Sequence, residues 1–339
     1  YKLERVLGRG GMGTVYAGRL QALDQPRAVK VLRPVMDDGQ ALGRFEREAR
    51  TASKLGSEHI VKVFDFGVTG DGLAYIAMEM LEGHDLGDLL GTQRFLPVER
   101  AVPIIIQCCA ALGAAHAAGI VHRDLKPENV FLVQRPGYRE FVKVVDFGLA
   151  KYSDTEQEGD PTRKLTKTGM IFGTPQYMSP EQCSGKPTDH RSDVYALGLM
   201  LYELLCGRVP FDGDTFMGVI NQHLVDPPRP LRELNPNIQV PPSLEAVVYR
   251  CMDKKAKNRP QSMREFADEL VTALRPSHPA LVAQIESVAQ SIEEPVSAMR
   301  LTKKKPSQRP PPPGGGFGIG APTVGSSDEI DPEEATMLS

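Results

Sequence analysis

Over the first 95 residues, apolar positions come in short β-rich runs separated by glycine or by aspartate and proline. Residues 2–8, 14–20 and 27–33 read as three strands with turns between them. A helix is predicted over residues 40–54, with Asp37 or Asp38 as its cap. Strands resume at 60–66 and 73–80. From Val98 the period changes: residues 101–118 form a long apolar helix closed by Gly119, and residues 191–206 form another. The pattern therefore predicts an α+β body, with a small strand-rich lobe over about 1–81 and a larger helical lobe over about 82–275. Ligands favour such interfaces, so the cleft between the lobes is the first place to look for a site.

Near residue 275 the pattern breaks. Pro310–Pro313 run directly into Gly314–Gly316, and Phe317 is the one aromatic of the final stretch. Residues 276–339 read as linker and tail, and from about 295 onward they bury too little apolar surface to offset chain entropy, so disorder is expected there. One stretch differs: Leu281, Ile285, Val288 and Ile292 share a helical face, which predicts a short amphipathic helix over 279–293.

Composition narrows the function classes. With 41% hydrophobic and 24% charged residues, wholesale disorder is excluded for the 339-residue chain. Forty basic against forty-three acidic residues leave a net charge of -3, which argues against nucleic acid as a partner. No apolar run is expected to reach the roughly 20 residues of a membrane helix, so membrane contact is not evident. Five cysteines without paired spacing suit a reduced, cytoplasmic compartment. Cys108 and Cys109 are expected to pack in the core. The histidines outside the motifs (His59, His84, His116, His190, His223 and His278) show no metal-ligand spacing. The chain opens at Tyr1 without a signal-peptide pattern and reads as a fragment.

Three motifs carry chemistry. Gly8-Arg9-Gly10-Gly11-Met12-Gly13 fits G-x-G-x-x-G. A dinucleotide-binding turn would open a helix, with an acidic residue about 20 positions on. Here a strand follows, and Lys30 stands at that distance, so a glycine flap over phosphates with a lysine to meet their charge fits better. The second motif is His122-Arg123-Asp124-Leu125-Lys126-Pro127-Glu128-Asn129, and the third is Asp146-Phe147-Gly148 after a strand at 141–145. Asp124 can accept a hydroxyl proton, while Asn129 and Asp146 offer hard oxygen ligands for a metal.

On these three motifs, in this order, residues 1–275 resemble the protein kinases, specifically the bacterial eukaryotic-like (Hanks-type) serine/threonine kinases. The resemblance implies a two-lobed kinase-like fold, with ATP and Mg2+ (or Mn2+) as cofactors. It implies that Glu48 pairs with Lys30, neighbouring Glu46 being the competing carboxylate, and that Leu7, Gly8, Gly10, Gly13, Val15 and Ala28 line the nucleotide. Met78 then guards the adenine pocket, Glu79 and Leu81 meet adenine through the backbone, and Asp85 contacts ribose. Asp124 and Lys126 serve the reaction, and Asn129 with Asp146 holds metal.

Lys126 marks the serine/threonine class, since tyrosine kinases usually carry Ala or Arg there. By the same resemblance Thr174 bonds the catalytic Asp and Lys, Glu181 pairs with Arg259, and Asp193 holds the catalytic loop. Thr166 and Thr168 resemble the family's autophosphorylation pair, with Arg123 as phosphate receiver, joined by Arg44 and Lys151. Partners implied are protein substrates, a second copy of the chain for autophosphorylation, and a forkhead-associated domain reading phosphate on Thr336 or Thr323 of the tail. The alternatives are a pseudokinase-type scaffold, which usually lacks one of the three residues present here as Lys30, Asp124 and Asp146, and a small-molecule phosphotransferase, which would not need the docking segment Gly173–Glu181.

Overall fold

The computed structural model of the chain describes residues 1–10, 13–32, 53, 55–70, 72–147 and 174–295. The predicted helix at 40–54 apart from residue 53, with Glu48, Glu46 and Arg44, and also Gly148, Lys151, the threonines Thr166 and Thr168, and the tail beyond residue 295 lie outside the described residues.

Five antiparallel strands open the chain: β1 (Lys2–Arg9), β2 (Gly13–Leu20), β3 (Gln25–Leu32), β4 (Val63–Val68) and β5 (Ala74–Met78), in the spatial order β1-β2-β3-β5-β4. The expected run at 60–66 starts later than its apolar pattern suggests. Ile60 and Val61 are buried, but they are captured by the other lobe: Ile60 bridges to Val144, and the Val61 N–H donates to the Val144 carbonyl at 2.9 Å. Backbone pairing with a distant segment thus takes two residues from the predicted strand.

The second lobe is mainly helical, as expected, and the strand predicted at 141–145 is present in it, as far as Val144, as part of a longer strand. It begins with β6 (Gly83–Asp85) and α1 (Leu86–Gln93), continues through α2 (Val98–Ala117), and then carries a hairpin of β7 (Val130–Arg135) and β8 (Tyr138–Val144). β6, β7 and β8 form a small antiparallel sheet. The alternation in β7 is present in the sequence, but it follows the catalytic motif so closely that motif and strand share one short segment.

Helix α2 corrects the membrane expectation. It has 20 residues, and an 18-residue stretch of it has a mean hydropathy of 1.5, long and apolar enough to cross a bilayer, yet 72% of that stretch is buried inside the fold. Its apolar character belongs to the core. Gln107 on α2 reaches β8 at both ends of its amide: Oε1 accepts the Val142 N–H at 3.0 Å, and Nε2 donates to the Glu140 carbonyl at 3.1 Å. This clamp sets the strand that leads into Asp146.

The remaining helices are α3 (Pro180–Cys183), α4 (Arg191–Cys206), α5 (Phe216–Val225), α6 (Leu231–Leu234), α7 (Pro242–Cys251), α8 (Met263–Leu274) and α9 (Pro279–Gln290). α4 is buried on nearly every side and is the central post of this lobe. α9 coincides with the predicted amphipathic helix. It packs on α2 and α8 through Leu281, Val282, Ile285 and Ala289, with Ile292 just beyond it, so the compact unit runs from Tyr1 to Val296.

Candidate active site

The glycine segment closes β1 onto β2 with the Gly10 N–H donating to the Gly13 carbonyl at 2.9 Å. Its glycines have different reasons. A Cβ at Gly13 would sit 2.3 Å from the Val31 carbonyl oxygen, so β3 packing demands glycine there. Gly8 and Gly10 face open space, which leaves their backbone free to approach a ligand.

Behind this segment lies one apolar cluster. Val15, Ala28, Leu32, Ile76, Met78, Met80 and Leu81 come from the strand-rich lobe and the link, and Phe131 and Val145 close it from the other lobe. The cluster unites the sequence-predicted Val15, Ala28, Met78 and Leu81. Phe131 and Val145 were missed; their signal was the β7 alternation and the position directly before Asp146. At the link, the Glu79 N–H donates to the Lys62 carbonyl at 2.9 Å, and its carboxylate accepts from Lys143 Nζ at 2.6 Å. Among the described residues the Glu79 carbonyl and the Leu81 N–H carry no hydrogen bond. Asp85 caps α1, accepting the Asp88 N–H at 2.9 Å. Leu7, on β1, is exposed.

Lys30 projects from β3 with its side chain only 6% exposed, and its Nζ meets Asp146 Oδ2 at 2.7 Å. This ion pair joins the lobes across the cleft. Asp146 has φ +62°, a left-handed conformation that turns its carboxylate out of the β8 line. His122 supports the same corner. Its Nε2–H donates to the Val145 carbonyl at 2.9 Å, its Nδ1 accepts the Asp124 N–H at 3.3 Å, and its ring packs edge-on against Phe147.

Asp124 and Lys126 face each other, Oδ2 to Nζ, at 3.3 Å. The Asn129 amide donates to the Asp124 carbonyl at 2.7 Å, leaving its own Oδ1 without a partner among the described residues. The Val145 N–H donates to the Asn129 carbonyl at 3.0 Å, which fixes Asn129 beside the approach to Asp146. Two hard oxygens thus border the corner where Lys30 waits. That donor set suits a divalent cation completing its shell with phosphate oxygens and water.

Buried Asp193 at the start of α4 accepts the N–H groups of His122 and Arg123 at 2.8 and 2.9 Å and pairs with His116 Nε2 at 2.7 Å. Burial pushes its carboxyl up, but the His116 bond and the loop N–H groups outweigh that and hold it below the usual carboxylate value. His116, read from sequence as outside any site, therefore supports the loop through Asp193.

Glu181 and Arg259 form a two-pronged pair at 2.8 Å for each prong, with Arg259 fully buried. Burial raises the Glu181 carboxyl, while hydrogen bonds from Arg259 and Ser192 lower it to a net value below normal. Thr174 opens the 3-10 turn Pro175–Tyr177. Among the described residues its side chain makes no bond to Asp124 or Lys126, unlike the contact the resemblance implied. Nearby, the Tyr177 hydroxyl donates to Glu203, a pairing absent from the sequence expectations.

The family model described as "Protein kinase domain" matches residues 1–272. The serine/threonine-protein kinase pkn3 of Myxococcus xanthus is 42% identical over 271 residues, covering 80% of this chain and 49% of that protein. Pkn1 of the same organism is 42% identical over 275 residues, covering 81% and 38%. Among solved structures, the PknI kinase domain of Mycobacterium tuberculosis superposes with a TM-score of 0.62 at 30% identity, over 80% of this chain and 96% of that one. The chain spans about half or less of the length of these curated relatives.

Proposed function

Because this chain belongs to the protein kinase family, in its bacterial serine/threonine branch, we propose that it transfers the γ-phosphoryl group of ATP to serine and threonine hydroxyls of proteins. The observation that carries the reading is the convergence of Asp124, Lys126, Asn129, Lys30 and Asp146 from three separate segments on one cleft.

Each residue then has a chemical task. The apolar cluster from Val15 to Val145 receives the adenine ring, and the Glu79 carbonyl and Leu81 N–H read its edge. Lys30 exchanges part of its pairing with Asp146 for the phosphates, with Glu48 proposed to orient it. Asp124 orients the substrate hydroxyl and accepts its proton, and Lys126 offsets charge on the group in transfer. Asn129 and Asp146 would hold Mg2+, which when bound neutralises phosphate charge. Such catalysis is chiefly positioning and electrostatics.

Lys126 supports serine/threonine rather than tyrosine acceptors. Protein substrates fit the docking segment from Thr174 to Glu181, braced by Arg259. Autophosphorylation on Thr166 and Thr168, in a transient pair of chains, is proposed as the activating step. Phosphate on Thr336 or Thr323 is proposed to recruit a forkhead-associated domain, and cytoplasmic residence of the catalytic unit is part of the same reading.

The test is transfer of labelled phosphate from ATP and Mg2+ to serine, threonine and tyrosine versions of one peptide by purified protein. Label on the serine and threonine peptides, abolished by Asp124→Asn, is the expected outcome. Equal label on tyrosine would refute the class, and no label on any peptide or on the protein itself would refute the activity.

A further inference from the structure

Arg123 sits at φ +65°, a conformation that a residue with a side chain keeps only when its surroundings hold it there. Two side chains hold it, one at each end. On the amino side, Asp193 accepts the Arg123 N–H. On the carbonyl side, Gln182 Nε2 donates to the Arg123 oxygen at 2.7 Å. That oxygen belongs to the peptide whose next residue is Asp124.

The other end of the same amide is also engaged. Gln182 Oε1 accepts the Ser179 N–H at 3.0 Å, and Ser179 Oγ accepts the Gln182 N–H at 3.4 Å, a capping box at the start of α3. A capping box is served equally well by glutamate or glutamine. Only glutamine can also donate to a carbonyl. The cap explains an acceptor at position 182, and the Arg123 carbonyl explains why that residue carries a donor as well.

We propose that Gln182 is a positioning residue for phosphoryl transfer, tying the peptide-docking segment to the catalytic loop and aiming Asp124 through the Arg123–Asp124 peptide. The inference deepens the proposed function and rests on Asp124 being the residue that meets the substrate hydroxyl. It also links the two segments in one direction of use: a substrate pressing on the docking segment bears on the peptide that aims Asp124.

Gln182→Glu keeps the cap acceptor and loses the donor, and Gln182→Met loses both while keeping the length. The experiment measures single-turnover phosphorylation of a serine peptide at saturating ATP and Mg2+, ATP affinity by titration, and thermal melting by circular dichroism, with Asp124→Asn in parallel. Both Gln182 variants are expected to slow the single turnover roughly ten- to hundredfold, with ATP affinity within about twofold of wild type and a cooperative melt retained. If only one variant melts cooperatively, that one decides. A single-turnover rate within twofold of wild type in either folded variant, with Asp124→Asn inactive, overturns the inference and leaves the proposed function standing. A fall in ATP affinity matching the fall in rate, or loss of cooperative melting in both variants, overturns it in favour of a structural role. Wild-type activity in Asp124→Asn overturns the reading beneath it as well.

Discussion

Asp124, paired at 3.3 Å with Lys126, is the residue where loss of function should separate most cleanly from loss of fold. Asp124→Asn keeps the shape and the acceptor oxygen but cannot take a proton, so peptide phosphorylation should fall by about 10² to 10⁴, with the melting temperature little changed. Arg259 should behave in the opposite way. It is fully buried, and besides Glu181 it serves the carbonyls of Asp253 and Arg191 at 2.8 and 3.0 Å. Arg259→Leu strands the Glu181 carboxylate and should cost roughly 3 to 5 kcal/mol in urea unfolding. Lysine cannot restore the two-pronged geometry. The Glu181 carboxyl is held below its ordinary value, so its contribution is full above the unfolded carboxylate value and is lost as pH falls through the depressed folded value. A Glu181→Gln variant should therefore be less stable than wild type at neutral pH, with the gap narrowing in acid; a gap independent of pH would contradict this.

Elements bring in partners that single residues do not reveal. Ile285 of α9 is buried against α2 and α8, and a Cβ on Gly113 of α2 would lie 2.6 Å from Ile292 Cγ2. α9 thus closes the core. Ile285→Ala should destabilise the compact unit by about 2 to 5 kcal/mol, read from urea unfolding of the full chain; a change below half a kilocalorie, on the order of surface effects, would mean that α9 contributes little. Helix α5 carries a different signal. His223 is buried with Nδ1 accepting the Tyr195 hydroxyl at 2.8 Å and its ring edge-on to Phe211. Burial first, and then the Lys254 ammonium, push its pKa down to about 4. The unfolded chain binds this proton near 6.5 and the folded chain does not, so stability should decline as pH falls from 6.5 toward 4, by roughly 3 kcal/mol at most. His223→Gln should flatten that decline in a series of chemical denaturation curves, and an unchanged slope would assign the acid sensitivity elsewhere.

At the scale of the whole molecule, two lobes meet where Lys30 reaches Asp146, 116 residues away in sequence. Control of that cleft is the expected role of the Thr166 and Thr168 pair. Arg123 Nε is buried and has no hydrogen-bond partner among the described residues, an unpaired donor that a phosphate oxygen would satisfy. Each charge-assisted bond is worth roughly 1.5 to 3 kcal/mol. Two or three together approach the roughly 5.5 kcal/mol needed to move an equilibrium from 1:99 to 99:1. Mass spectrometry of active protein should find phosphate on one or both threonines, and the double alanine variant should lose most activity. Unmodified threonines together with a fully active double variant would exclude this switch.

How much of this was legible in the chain depends on the distance over which each feature is encoded. The three motifs are contiguous, so Asp124, Lys126, Asn129 and Asp146 could be read directly, and the strands β1 to β3 and the helices α4 and α9 followed from period alone. That reading reached residue types and local backbone. Tertiary structure decided the partners. Ile60 and Val61 carry a strand pattern, yet Val144 claims their backbone; α2 has the composition of a membrane span, yet the surrounding helices bury it. Phe131 and Val145 became the floor of the cleft, and His116 and Gln182 joined Asp193, already expected there, as supports of the catalytic loop. The physical reason is that periodicity records which face of an element avoids water. It carries no label for the group, tens of residues away, that will fill that face or accept that proton.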